Sequence, residues 1–323
     1  MNQFNYYPLR FTPIYQYRLW GGRNLADFLS EPLPDGPVGE AWLLSDRDDH
    51  PSLVADGDLS GQSLVELFKT DEAGLMGKFA GQFKRFPLLL KFLDCNDVLS
   101  VQVHPSDDQK AYIPKGENGK TEAWMVLSTR QESLVYAGLK PGTTPQKLEQ
   151  AIRDKTVGQY LHSFKPKVND SVLIKAGTVH TLDGLLVFEV QENSDVTFRL
   201  YDWDRTDKKT GKPRELQVKE ALACIDYSQI DIGPVEPDHD EPPEVLRSDH
   251  FIVWKHQKTD PFMAGKANEP RILVCTKGSG RLNSGQTVFE VTKGQVYLLP
   301  AQIGECSFEP SGDTALLEIG IPS

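Results

Sequence analysis

No apolar run in the sequence approaches the ~18 residues that a membrane-spanning helix needs. An excess of positive charge is also absent: 46 Asp and Glu stand against 35 Lys and Arg, a formal charge of -11. The first absence excludes a helical membrane span. The second excludes broad attraction to nucleic-acid phosphates or anionic lipid, so an anionic ligand must meet a local basic pocket. Cysteine is scarce too. Cys95, Cys224, Cys275 and Cys306 lie far apart with no C-x-x-C pair, and the opening MNQFNYYPLRFTPIYQYRLWGG lacks the apolar core of a secretory signal. The expectation is a reduced, cytoplasmic protein whose cysteines pack as small apolar residues.

What is present is globular: 323 residues with 39% hydrophobic and 25% charged content, enough for one large or two medium domains. Glycine and proline, 26 and 22 residues, punctuate short runs rich in Val, Leu, Phe and Tyr. The runs LSVQVHP, EAWMVLS, SLVYAGL, DSVLIKAG, LLVFEVQE, VTFRLYDW, HFIVWKH, RILVCTKG and QVYLLPA have strand length, and many alternate apolar with polar residues. The fold class expected is mainly β. Helical spacing appears only over 63–83, 144–164 and 214–226. The acidic, proline-rich GPVEPDHDEPPEVLRSDH reads as a connection without regular structure, with a domain boundary near residue 245.

Sliding the second half over the first aligns the run from Glu122 with that from Glu269, and the run from Asn169 with that from Gly294. The two offsets differ by about the length of the helical stretch 144–164, which the first copy would carry as an insertion. Two related β-modules follow, one elaborated and one plain, although chance similarity between apolar strands gives the same matches.

In LSVQVHP, Gln102 and the following His104 leave one face of a strand while Val101 and Val103 leave the other. Glu122 opens the next strand-like run. His180 follows a turn for which Gly177 supplies the freedom. These N and O donors suit zinc, iron or manganese, with one coordination position left open. The position aligned with His180 in the second half is Glu305, and nothing before Glu269 supplies a Q-x-H, so one copy holds ligands and the other does not.

The order Q-x-H-P, E-A-W, A-G-T-x-H-x-L, with the early W-G-G at Trp20, GEAW at Glu40, LLLKFLDCNDVLSVQVHP and EVQENSDVTFRLYDW, resembles the type I mannose-6-phosphate isomerases in their short bacterial form. The resemblance covers nearly the whole chain and is densest over residues 85–205. It implies two cupin (jelly-roll) barrel modules with added helices, the first catalytic and the second degenerate. The expected division is a catalytic module over 1–205, a helix and linker over 206–245, and a module without metal ligands over 246–323. It implies one zinc ion per chain, held by Gln102, His104, Glu122 and His180, and Arg199 as the active-site arginine. Where cupins commonly read P-x-G-x-x-H, this chain has Lys175-Ala-Gly-Thr-Val-His, which loses the proline but keeps glycine and histidine. Gln102, a neutral amide, either ligates the metal or stands behind the ligands.

Aldose–ketose isomerisation needs an electrophile and a base. Glu189, alternating with Phe188 and Val190, is the candidate base, or else pairs with a lysine. Lys91, a charge inside LLLKFLD, is expected to face a cavity. With Lys120 and Ser100 it makes the candidate phosphate and substrate set, the alternative being a snorkelling Lys91 and an exposed Lys120. GENGKTE is no nucleotide loop, because Pro114 stands where a glycine is required, and GSGRLN reads as a hairpin turn. His50, His162, His239, His250 and His256 have no motif around them and read as surface or packing residues. The expected partner is a small sugar phosphate, with neither nucleic acid nor membrane. The competing readings are an iron-dependent cupin oxygenase, which metal identity separates, and a non-catalytic sugar-phosphate sensor, which turnover separates.

Overall fold

In a computed structural model of the chain, residues 4–29 and 31–323 are described. Strands dominate, as the alternating patterns predict, and they fall into two groups. In the first, nine strands between Ile14 and Tyr201 form one curled sheet. Its centre is the pair Leu88–Cys95 and His180–Glu192, antiparallel over their full overlap, with Glu122–Leu139 along the other edge of His180–Glu192. In the second, a six-stranded and a four-stranded sheet hold the strands from Glu244 to Gly320. The chain's first strand, Leu9–Arg10, crosses to this group and pairs with Val296–Leu299. The largest buried cluster joins both groups, with Leu44, Phe92 and Phe188 in the same core as Phe251, Ile272, Leu298 and Ile319. Each such side chain taken from water stabilises the fold by ~1.5–3 kcal/mol before entropy is counted.

Strand period explains how a charged floor is built inside this core. In Leu88–Cys95, Leu88, Leu90 and Phe92 face the large cluster, while Lys91, Leu93 and Cys95 take the opposite face. In His180–Glu192, Phe188 and Val190 face the cluster and Glu189 sits with Val187 and Leu185 on the opposite side. The two central strands pair Lys91 directly with Glu189.

Several local expectations change. EAWMVLS and SLVYAGL are one 18-residue strand, Glu122–Leu139, because bulges between Val126 and Ser128 and between Thr129 and Leu134 absorb its polar middle without breaking the pairing. The stretch 144–164 is helical only over Pro145–Arg153, capped by Thr144; after a short 3-10 turn it becomes the strand Leu161–Phe164, which pairs with Glu122–Leu139. The proline-rich connection contains the strand Glu244–Arg247, since its prolines end at Pro243 and the free N–H groups beyond pair with Ile252–Lys258. GSGRLN is not a turn: Ser279–Ser284 is a strand paired with Thr287–Thr292, and the reversal lies at Gly285 and Gln286. No helix among the described residues is long and apolar enough to cross a membrane.

Candidate active site

Three strands lie side by side at one level of the first sheet: Arg199 is opposite Gln102, and Gln102 is opposite His180. Glu122 is the first residue of its strand, and its carboxylate lies 3.3 Å from His104 Nε2 and 3.2 Å from His180 Nε2. Both imidazoles are oriented from behind: Nδ1 of His104 donates to the Val196 carbonyl and Nδ1 of His180 to the Thr178 carbonyl, each at 2.8 Å. Each Nε2 therefore carries the lone pair and points at Glu122. Gln102 reaches the same point, its amide 3.2 Å from His180 Nε2. Turning that amide over puts its oxygen in the same place. His104, Glu122 and His180 are fully buried and bring one ligand atom each within 4.8 Å of one another.

The turn before His180 shows how local sequence sets this geometry. Gly177 has φ +86°, and a Cβ there would meet the Asp226 Cβ at 2.9 Å, so the position requires glycine twice over. Its N–H donates to the carbonyl of His104, fastening the two histidine segments together at 2.8 Å.

Charge inside the cluster is unevenly satisfied. Neither oxygen of Glu122 receives a hydrogen bond of good geometry, although the Lys120 ammonium lies 2.6 Å from Oε2. Burial works to raise the Glu122 carboxyl, but Lys120, then His104 and His180, hold it well below the usual range. Burial, then the Lys120 charge, lowers His104 to about 3, and burial also lowers His180, so both rings stay neutral. Neutral imidazoles beside an ionised carboxylate are the state in which all three ligate a cation.

A cavity of about 420 Å³ adjoins this cluster: its wall holds Gln102 and Lys120, which touch His180 and Glu122. Every residue singled out from the sequence for catalysis or substrate faces it: Lys91, Ser100, Gln102, Lys120, Glu189 and Arg199 all line its wall. Lys91 is buried, with its ammonium 3.6 Å from Glu189, 3.8 Å from Glu40 and 4.9 Å above the Trp42 ring. Glu189 accepts the Trp124 indole N–H at 3.0 Å; burial, then the Glu122 charge, raises its carboxyl against Lys120 and Lys91. Arg199 donates to Ser100 Oγ at 3.3 Å and to the Glu215 carbonyl at 2.9 Å, and burial with the neighbouring Arg214 lowers its guanidinium to about 10.

The sequence reading missed Arg18, Asp195 and Arg214 on the same wall. Arg18 clasps Glu40 at 2.7 Å, Glu40 also accepts the Trp42 indole N–H at 2.7 Å, and Arg214 stands behind Arg199 through Asp202. The signal for Arg18 was a charge in the aromatic run YQYRLW, of the same kind that flagged Lys91.

Comparison with known proteins follows this geometry. A family model described as the phosphomannose isomerase type I catalytic domain matches residues 9–132, which include Gln102, His104 and Glu122 and stop before His180. The mannose-6-phosphate isomerase ManA of Bacillus subtilis is 35% identical over 309 residues, covering 94% of this chain and 96% of that protein. The probable mannose-6-phosphate isomerase GmuF of the same organism is 33% identical over 313 residues, with the same coverage of each. Among solved structures, the mannose 6-phosphate isomerase from Bacillus subtilis superposes with a TM-score of 0.88 at 29% identity, over 97% of this chain and 99% of that one.

Proposed function

The chain belongs to the type I phosphomannose isomerase family, and from that premise we propose that it interconverts mannose 6-phosphate and fructose 6-phosphate, moving a proton between C1 and C2 through an enediol(ate). The observation that carries this reading is the convergence of His104, Glu122 and His180 beside a polar cavity whose wall holds their neighbours Gln102 and Lys120 together with Arg199, Glu189 and Lys91. One zinc ion per chain is the proposed cofactor, with Gln102, His104, Glu122 and His180 as its ligands. The residues suit it: two Nε2 lone pairs and a carboxylate without hydrogen bonds are donors in want of a cation. When bound, such a cation supplies Lewis-acid polarisation of the sugar carbonyl.

The remaining work falls to side chains. Glu189, raised by burial and held by Trp124, is the proposed base that takes the proton from C2 and returns it to C1. Arg199, fixed by Ser100 and the Glu215 carbonyl, donates to the oxygens that gain negative charge. Lys91, Lys120 and Ser100 are the proposed substrate contacts. Lys120 has a second part, since its ammonium is the positive charge now lying against Glu122. Catalysis is assigned to 1–205, connection to 206–245 and a module without ligands of the active-site metal to 246–323; support comes from Gln102, Glu122 and His180 lying on strands of the first sheet with His104 directly after one. Four buried, unbridged cysteines support a reducing, cytoplasmic setting.

The test is turnover of mannose 6-phosphate by purified protein, before and after chelation and with zinc restored. Loss with the chelator and recovery with zinc is the expected result. A folded, zinc-loaded sample without turnover overturns the isomerase and leaves the sugar-phosphate sensor.

A further inference from the structure

A second group of metal-capable side chains lies on the far side of the Lys120–Glu122 segment. Asp107 follows His104 in a loop, Glu192 ends the strand His180–Glu192, and His250 sits between Glu244–Arg247 and Ile252–Lys258. One ligand atom of each lies within 4.8 Å of the others. Glu192 is only 6% exposed. Its Oε2 accepts the Thr121 N–H at 2.6 Å, the Thr121 side chain also hydrogen-bonds the carboxylate, and Oε1 faces His250 Nδ1 at 3.3 Å. Asp107 accepts the Gly119 N–H at 2.7 Å. Among the described residues no lysine or arginine ion-pairs with either carboxylate.

We propose that Asp107, Glu192 and His250 form a second divalent-cation site, separate from the one at His104, Glu122 and His180. Two carboxylates with no lysine or arginine ion pair around one imidazole, the central one buried and turned toward the imidazole, are donors for a first-row dication such as zinc or manganese. The group opens on a cavity of about 600 Å³, which gives water room to complete the coordination. Its role is positional. Through Thr121 and Gly119 the carboxylates hold the backbone on either side of Lys120, and His250 ties that backbone to the second half of the chain.

Metal-stripped protein titrated with zinc by calorimetry, with bound metal counted by elemental analysis after desalting, tests this. The expected result is two equivalents in the wild type, one in His250→Ala, one in His104→Ala and none in the double variant. The affinity for the equivalent lost on His250→Ala falls roughly tenfold or more. Asp107→Asn, which keeps the loop's shape, weakens the same equivalent, and zinc raises the Tm of His104→Ala but not of the double variant. One equivalent in the wild type that disappears with His104→Ala overturns the proposal, as do two equivalents retained in a His250→Ala protein with native circular dichroism. One equivalent lost with His250→Ala and kept in His104→Ala would sustain it and overturn the metal assignment at the active site instead.

Discussion

Each half of the molecule buries a cluster of charge, and the two clusters end differently. In the second half, Glu318 is held by His256 at 2.9 Å, by Arg271 at 3.3 Å and by the Gly265 N–H at 3.2 Å, while Glu269 is held by Arg271 at 2.8 Å and Lys78 at 2.7 Å. Every carboxylate oxygen there has a partner, and aromatic rings cover those partners: Phe262 stacks on the His256 ring and Arg271 lies over Trp254. In the first half, Glu122 has charged neighbours but no well-formed hydrogen bond, and Gln102 and Lys120 beside it line a cavity. The lesson is that buried charge by itself marks nothing. A network whose carboxylate oxygens are all held contributes structure, even with His256 Nδ1 unpaired, while a carboxylate left without hydrogen bonds beside a cavity makes a site.

Substitutions can break this contrast. His180→Ala, or His104→Ala, is expected to abolish metal binding at this cluster and turnover together, with kcat falling by ~10⁴ or more; the loss of one metal equivalent by elemental analysis and the isomerase assay check both, and activity retained in His180→Ala would sink the metal assignment. Arg199→Ala is expected to keep the metal while kcat/KM falls ~10²–10³-fold, because it removes donors aimed at developing charge rather than a ligand. A matching loss of metal would instead make Arg199 structural.

Glu318→Gln sharpens the contrast from the other side. It removes the carboxylate that holds His256 and one of the two that hold Arg271, and is expected to cost about 3 kcal/mol of stability by denaturant unfolding, with kcat/KM unchanged wherever the protein is folded. The smallest effect belongs to Asp46, outside both clusters. Burial raises its carboxyl to about 6, even though it accepts the Phe86 N–H at 2.6 Å. A carboxyl raised above its unfolded value contributes stability that is full below ~pH 4 and is lost as pH rises through about 6. Asp46→Asn should flatten that slope, seen as a difference from wild type in Tm between pH 4 and 7; an unchanged slope would assign the pH dependence to other groups.

The residues of the first cluster were legible for local reasons. Alternation along LSVQVHP puts Gln102 opposite the two valines in facing, a lysine inside LLLKFLD has few places to go but a cavity, and the glycine before His180 announces a turn that only glycine makes. Arg18 carried the same kind of signal as Lys91, but its pairing did not show, and Arg214 carried no such signal. Each contributes through Glu40 or Asp202, residues distant in the chain, and neither partner carries a local signal of the pairing.

By itself, then, the sequence determined which face of a strand such as LSVQVHP carries the polar donors, the glycine turn before His180, and which donors are chemically able to hold a metal, because these depend on neighbours one to four residues away. The tertiary structure alone decided which strands lie side by side: Lys91 against Glu189, Gln102 between His180 and Arg199, and Asp107, Glu192 and His250 at one point. Pairing across such distances is selected by burying the opposite, apolar faces in one shared core, and the chemistry on the charged face follows from that choice.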